Sequence, residues 1–203
     1  MKKMFSPFYA VSCSFMLIAC AGDSEATEQG LSSAQNQQAK PAQTISLPLV
    51  NPSFEASDQL VKGWAFAQHA GEPSYSVSID STESADGKNS YRIERKKVQA
   101  WGMLNQWIKL DDAIGKSVKL SAMVKSETLG PNGFDLNLVF RKANRKFISS
   151  VGSEAVTGSN DWHRIEVIGV VPAGTAHLQV TAVLNDAGTA WLDDVRLSIT
   201  DEQ

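Results

Sequence analysis

The chain has 203 residues, of which 42% are hydrophobic, 20% charged and 8% aromatic, with a formal charge of −3. That is room for about one domain, and without a basic excess it is no dedicated binder of nucleic acid, which is held by releasing counterions to many Lys and Arg side chains. Three His and two Cys, scattered along the chain, leave little for a zinc site, and the longest apolar stretch is too short for a permanent membrane span.

Lys2 and Lys3 form a positive start, and Met4 to Leu17 is a mostly apolar run. Leu17-Ile18-Ala19-Cys20 then ends it with small residues, the pattern of a secretory signal over residues 1–19. The tetrapeptide resembles the bacterial lipobox. That resemblance implies cleavage before Cys20, lipidation of its thiol and a chain anchored in the cell envelope by several acyl groups, enough for stable attachment. Ala21 in place of Asp then implies sorting to the outer membrane. Removing residues 1–19 takes two positive charges and no negative one, so the formal charge moves from −3 to −5. It also removes Cys13, which leaves Cys20 as the one cysteine and no internal disulfide.

Residues 20–43 hold the lipidated cysteine and a linker rich in Ser, Gln, Ala and Glu, with no aromatic residue. Such a segment cannot bury enough apolar surface to offset its ordering entropy. It reads as a flexible tether with a span of about 25–30 Å.

From residue 44 to residue 200 the texture changes. All five Trp lie here, and short segments alternate apolar and polar residues with period two between Gly, Pro, Asn and Asp punctuation. Val118, Leu120, Ala122 and Val124 share one side of a predicted strand. Phe134, Leu136, Leu138 and Phe140 do so in the next, then Leu178, Val180, Ala182 and Leu184, then Trp191, Val195, Leu197 and Ile199. No amphipathic helix of three turns and no solenoid-length repeat is visible. Many short strands with regular turns predict an all-β fold, a two-sheet antiparallel β-sandwich.

The landmarks then come in a recognisable order: Asn51-Pro52-Ser53-Phe54-Glu55, Gly63-Trp64, Gly87-Lys88-Asn89-Ser90-Tyr91, Gln106 before Ile108 and Leu110, Leu120 to Val124, Asp161-Trp162, Val171-Pro172-Ala173-Gly174, and Gly188 through Trp191-Leu192-Asp193-Asp194-Val195. Over nearly all of residues 48–199 this resembles a carbohydrate-binding module of the family 4, 9 and 22 type, with a galactose-binding-like jelly roll. The resemblance implies two antiparallel sheets, one concave, a sugar cleft on the concave sheet and a structural calcium ion (Ca2+). Its calcium ligands would fall on Glu55 and Asp193, with Asp86 or Glu83 as a looser third. The alternative for Asp193 is a carboxylate satisfied by backbone hydrogen bonds alone.

A sugar site calls for aromatic faces and planar polar side chains. In the stretch 101–110, Leu104, Ile108 and Leu110 share the core side, while Trp101, Met103, Asn105 and Trp107 share the other. That second side is predicted to continue through Ser121, Lys125, Asp135, Asn137, Arg141, Gln179 and Thr181. The candidate ligand residues are therefore Trp101, Asn105, Trp107, Asn137, Arg141 and Gln179. Trp101 and Trp107 serve either as a platform for the sugar or as packing under a loop. Trp64, Trp162 and Trp191 fall at landmark positions and are assigned to the core. The basic runs at 92–97 and 141–146 suit acidic glycans or lipid headgroups, or are simply solvated faces.

Catalytic motifs are missing: there is no Gly-x-Ser-x-Gly elbow, phosphate loop or His-Glu-x-x-His helix. The expectation is a non-catalytic, lipid-anchored protein that binds a glycan. The alternative is an accessory lipoprotein that offers the same face to an envelope protein partner.

Overall fold

The computed structural model describes residues 43–56 and 61–200; the signal segment, Cys20 and nearly all of the tether lie outside the described residues. The described residues form ten strands and no helix: β1 (Thr44–Ser46), β2 (Ala65–Gln68), β3 (Tyr75–Asp80), β4 (Ser90–Arg95), β5 (Gly102–Lys109), β6 (Ser117–Arg141), β7 (Phe147–Gly152), β8 (Val156–Val170), β9 (His177–Leu184) and β10 (Thr189–Thr200). Every pairing is antiparallel.

The alternation read from the sequence is what builds β6 and β9. Along both strands the apolar parity is buried: Val118, Ala122, Val124, Phe134, Leu138, Leu178, Val180 and Leu184 are fully enclosed. Each such side chain contributes about 1.5–3 kcal/mol by leaving water. β6 is longer than expected. The two predicted strands join into one 25-residue strand whose register shifts at Ser126, Leu129 and Phe134. These irregularities carry the chain from one sheet to the other. Residues 117–126 pair with β10 and β8, whereas residues 134–141 pair with β9 and β7. One sheet therefore reads β3-β4-β10-β6-β8, with β1 extending β10 beyond the end of β4, and the other reads β2-β5-β9-β6-β7. The expected β-sandwich is found, with its core between the two sheets.

This crossing corrects one grouping. Ser121 and Lys125 lie on the β10-paired half of β6, so they face outward from the opposite sheet and not alongside Asp135, Asn137 and Arg141. A second correction concerns β10. A bulge between Asp193 and Arg196 changes the register, so that Ala190 and Leu192 enter the core before it and Val195, Leu197 and Ile199 after it. Trp191 is thereby turned out of the core. It is buried between Arg92 and Lys125, whose charges lie 5.6 and 5.7 Å from its ring, and its indole N–H donates to Asp80 Oδ2 at 2.9 Å. Trp162 is half-buried outside the core cluster, and Trp64 packs against it from the edge.

Gly102 opens β5 where the Tyr75 ring lies flat against the strand. A Cβ there would sit 2.8 Å from three ring carbons. Tyr75 cannot simply move off, because its hydroxyl donates to Leu184 O at 3.2 Å. Gly102→Ala is therefore expected to destabilise the domain by about 1–3 kcal/mol through overpacking, read from the urea midpoint. An unchanged midpoint would show that the ring yields freely.

Candidate functional site

The outward side of the β2-β5-β9-β6-β7 sheet carries most of the predicted ligand residues. Register places Asn105 of β5 opposite Thr181 of β9, and Thr181 opposite Asn137 of β6. One row further on, Trp107 lies opposite Gln179, and the next row joins Lys109, His177 and Arg141.

A continuous polar ladder crosses these strands. Asn105 Nδ2 donates to Ala65 O of β2 at 2.8 Å. Gln179 Nε2 donates to Asn105 Oδ1 at 3.2 Å, and Arg141 Nε donates to Gln179 Oε1 at 3.0 Å. Asn105, Gln179 and Thr181 are each only 5% exposed. Polar groups so enclosed must be paired, and the ladder pairs Asn105 and Gln179 with each other. Asn105 and Gln179 thus orient Arg141 and present little surface of their own. Asn137 stands beside the ladder and donates to Asp135 Oδ1 at 2.7 Å; Asn185 donates to the other oxygen at 3.1 Å. Burial pushes the Asp135 carboxyl above its ordinary range, against the opposite pull of these two amides.

The two candidate tryptophans sit at opposite ends of this face. Six residues of strand separate them, about 20 Å. Trp107 is 38% exposed. Arg141 and Arg145 lie over its ring at 5.3 and 5.2 Å, and His177 meets it edge-on at 6.4 Å. Trp101 is half-buried just before β5, edge-on to His69 at 6.0 Å. They form two rims, not one continuous platform.

Sequence reasoning missed two partners of Trp107, His177 and Arg145 as a stacking group, and one of Arg141, Phe147, which is 57% exposed and 6.0 Å from the guanidinium. Arg145 is brought back over the ring by the tight β6–β7 connection, where Arg145 N donates to Lys142 O and Lys142 N to Lys146 O. The available signal was the Arg141-to-Phe147 spacing across a turn.

The carboxylates expected to bind calcium do other work. Asp193 is fully buried, and its Oδ2 accepts from Ala85 N and Asp86 N, both at 2.8 Å, while Oδ1 accepts from Asp194 N at 2.6 Å. Burial pushes its carboxyl upward and outweighs these three donors. Glu55 Oε1 accepts from Lys88 N and Asn89 N at 2.8 Å, and these backbone donors hold its carboxyl below the ordinary range. Glycine at 87 lets Glu55 approach: φ is +65° there, and a Cβ would lie 2.5 Å from Oε1. Asp86 contributes a backbone N–H, and Glu83 pairs with Lys125. Among the described residues no three His, Cys, Asp or Glu side chains are grouped to hold a metal. Calcium needs six to eight oxygens, and Asp193 and Glu55, each already accepting three N–H donors, do not fit it in this arrangement. Chelation with EDTA is expected to leave the melting temperature unchanged. A melting temperature that rises on adding Ca2+ would restore the calcium reading.

The other sheet has a groove of about 730 Å³, lined among others by Ser46, Lys119, Ser121, Arg164, Ile168 and Arg196. No aromatic ring lines it, and its cations are neutralised. Lys119 pairs with Glu166, and Arg164 and Arg196 with Asp194. The exposed Trp107, with the unpaired Arg141 and Arg145 over its ring, lies on the β5–β9 face.

No family model matches the sequence, and no curated protein aligns with it. Solved structures do align. The enzymatically active domain of bacteriophage CBA120 tailspike protein 4 does so at a TM-score of 0.60 and 16% identity over 73% of this chain, which spans only 20% of that one. A Stig cyclase from Fischerella sp. TAU aligns at 0.61 and 12% identity, covering 79% of this chain and 100% of its own. The CBM22-1 xylan-binding domain from Paenibacillus barcinonensis Xyn10C aligns at 0.51 and 14% identity, covering 74% and 93%. Likeness at such identities is a likeness of fold: the described domain has the jelly-roll β-sandwich fold found in carbohydrate-binding modules.

Proposed function

We propose that this protein is a lipid-anchored, non-catalytic binder that captures a glycan on the outer face of the β2-β5-β9-β6-β7 sheet. The observation that carries the reading is Trp107, a large ring exposed at the end of a preordered polar ladder. Exposed aromatics of this kind stack on the C–H faces of sugar rings while fixed amides and guanidinium groups take hydroxyls. Trp107 supplies the stacking surface, Arg141 and Asn137 the hydrogen bonds, and Asn105 and Gln179 the positioning. Trp101 would grip the far end of an extended chain. Alignment with a domain whose name states xylan binding supports a polysaccharide over a small molecule. A jelly roll also occurs in a cyclase, so fold does not decide between binding and turnover. What favours binding is that the polar groups of this face are spent on one another in a fixed ladder. Cys20, in its lipobox setting, would hold the domain at the outer membrane through the linker of residues 20–43.

The test is electrophoretic retardation of the purified protein in gels containing soluble polysaccharides, with Trp107→Ala beside the wild type. Retardation of the wild type that is lost in a folded variant supports the proposal. If no polysaccharide retards the protein while an envelope protein cross-links to this face, the face docks a protein. An exposed Trp flanked by Arg suits such a hot spot as well.

A further inference from the structure

The cations of the domain are not distributed evenly with respect to their partners. Arg92 and Lys96 pair with Glu94, Arg95 with Asp186, Lys109 with Asp111, Lys119 with Glu166, Lys125 with Glu83, and Arg164 and Arg196 with Asp194. Lys62, Lys88 and Lys97 also lack an ion pair among the described residues, but each stands singly; the β6–β7 connection differs in gathering several such cations. Arg141, Lys142, Arg145 and Lys146 fall within six residues, and none of them is paired with a carboxylate among the described residues. Four unneutralised charges beside the exposed Trp107 repel one another and draw an anion.

Two of these cations are also held in place. The Arg141 guanidinium lies over Trp107 at 5.3 Å and has its Nε tied to Gln179 at 3.0 Å, and Nη1 reaches Arg145 O at 3.4 Å. Its Nη2 has no hydrogen bond among the described residues. Arg145 lies over the same indole at 5.2 Å, and its guanidinium makes no hydrogen bond there either. A guanidinium stacked on an aromatic ring keeps its planar fork open at the edge, the arrangement that receives a carboxylate, sulfate or phosphate with two parallel bonds. The Asn105–Gln179 ladder holds Arg141 in that pose before any ligand arrives, so little ordering entropy is lost on binding.

We propose that Arg141 and Arg145, stacked on Trp107, form an anion receptor, and that the glycan bound by this face is an acidic polysaccharide. This rests on the glycan reading and narrows it. The anion is a uronate carboxylate or a sulfate or phosphate ester carried on the sugar chain. A chain ligand is favoured over a membrane headgroup because the receptor is one end of a face that runs about 20 Å along β5 to a second indole at Trp101.

The test compares matched polymers by titration calorimetry of the purified protein: a polyuronate against the same polymer after reduction of its carboxyl groups, and a sulfated polysaccharide against its desulfated form. Vesicles of phosphatidylglycerol and phosphatidylethanolamine form a further arm. One charged polymer is expected to bind about tenfold or more tighter than its neutral twin, with affinity falling as salt rises to about 0.5 M. Arg145→Gln is expected to lose about tenfold for the charged polymer, and Arg145→Lys to recover part of it, since a point charge replaces the fork. The melting temperature of each variant checks its fold. Equal binding of the charged and neutral twins overturns the acidic-ligand proposal and leaves the glycan reading standing. Binding to neither polymer of either pair overturns both, and vesicle binding in that case assigns the receptor to lipid headgroups.

Discussion

Replacement of Asp193 by alanine is expected to lower the melting temperature of the domain by about 6–20 °C. The carboxylate is fully buried and accepts three backbone N–H groups, from Ala85, Asp86 and Asp194. An orphaned buried donor costs about 1–3 kcal/mol. Three of them, partly relieved by relaxation of the 85–86 loop, amount to about 3–5 kcal/mol, and about 2–4 °C follows from each kcal/mol in a domain of this size. Asp193→Asn keeps one acceptor oxygen and is expected to lose about half as much. Glu55→Ala provides the contrast. Glu55 holds the neighbouring Lys88 and Asn89 amides from an exposed position, where water can replace it, so its loss is expected to stay within about 1 kcal/mol. Thermal melts of the three variants decide the matter. An unchanged melting temperature for Asp193→Ala would mean that the 85–89 loop is held by other contacts.

This pair also shows where sequence reasoning reached and where it stopped. The resemblance implied that Glu55 and the closing Asp193 meet as calcium ligands; in the structure both reach the 85–89 loop. What fills the space between carboxylate and loop was not legible, because backbone amides and a cation satisfy a carboxylate equally well on paper. Elsewhere the physics of period two made the fold readable. β9 and both halves of β6 bury the residues their alternation selects. The failures lie where the period breaks. The Asp193–Arg196 bulge reverses the parity of β10, which is why Trp191 reads as core and is instead enclosed by Arg92 and Lys125. The register shifts inside β6 move the chain between sheets, so that Ser121 and Lys125 share a parity with Asp135 but not a face.

The site was legible in its residue types and not in its assembly. Two tryptophans on the non-core side of one predicted strand pointed to the outward face of the β2-β5-β9-β6-β7 sheet, where Trp107 is exposed and Trp101 lies just before β5. The ladder that organises it joins Asn105 to Gln179 across 74 positions and Gln179 to Arg141 across 38. Such links depend on which strands become neighbours, a matter decided by loop closure and core packing. The basic run at 141–146 reads as a solvated face until the β6–β7 turn folds Arg145 back over Trp107.

Trp107→Ala is expected to weaken glycan binding by about 30-fold or more while leaving the melting temperature nearly unchanged. Truncation of a central aromatic anchor at a binding site costs about 2 kcal/mol or more, and about 1.4 kcal/mol corresponds to tenfold in affinity. The effect should exceed that of any single hydrogen-bonding residue on the face, because the ring does two things. It offers the stacking surface, and it holds the Arg141 and Arg145 guanidinium groups, 5.3 and 5.2 Å away, in their open pose. Stability is spared for a separate reason. Trp107 is 38% exposed and lies outside the core cluster, so its removal opens no cavity between the sheets. Trp101→Ala is the companion experiment. Its ring lies at the opposite rim against His69, so it should weaken long polysaccharides and leave short oligosaccharides bound at the Trp107 end unaffected. Calorimetric titration of both variants with a chain-length series separates the outcomes. If Trp107→Ala binds as the wild type does, the exposed ring is not the anchor and the proposed face is wrong.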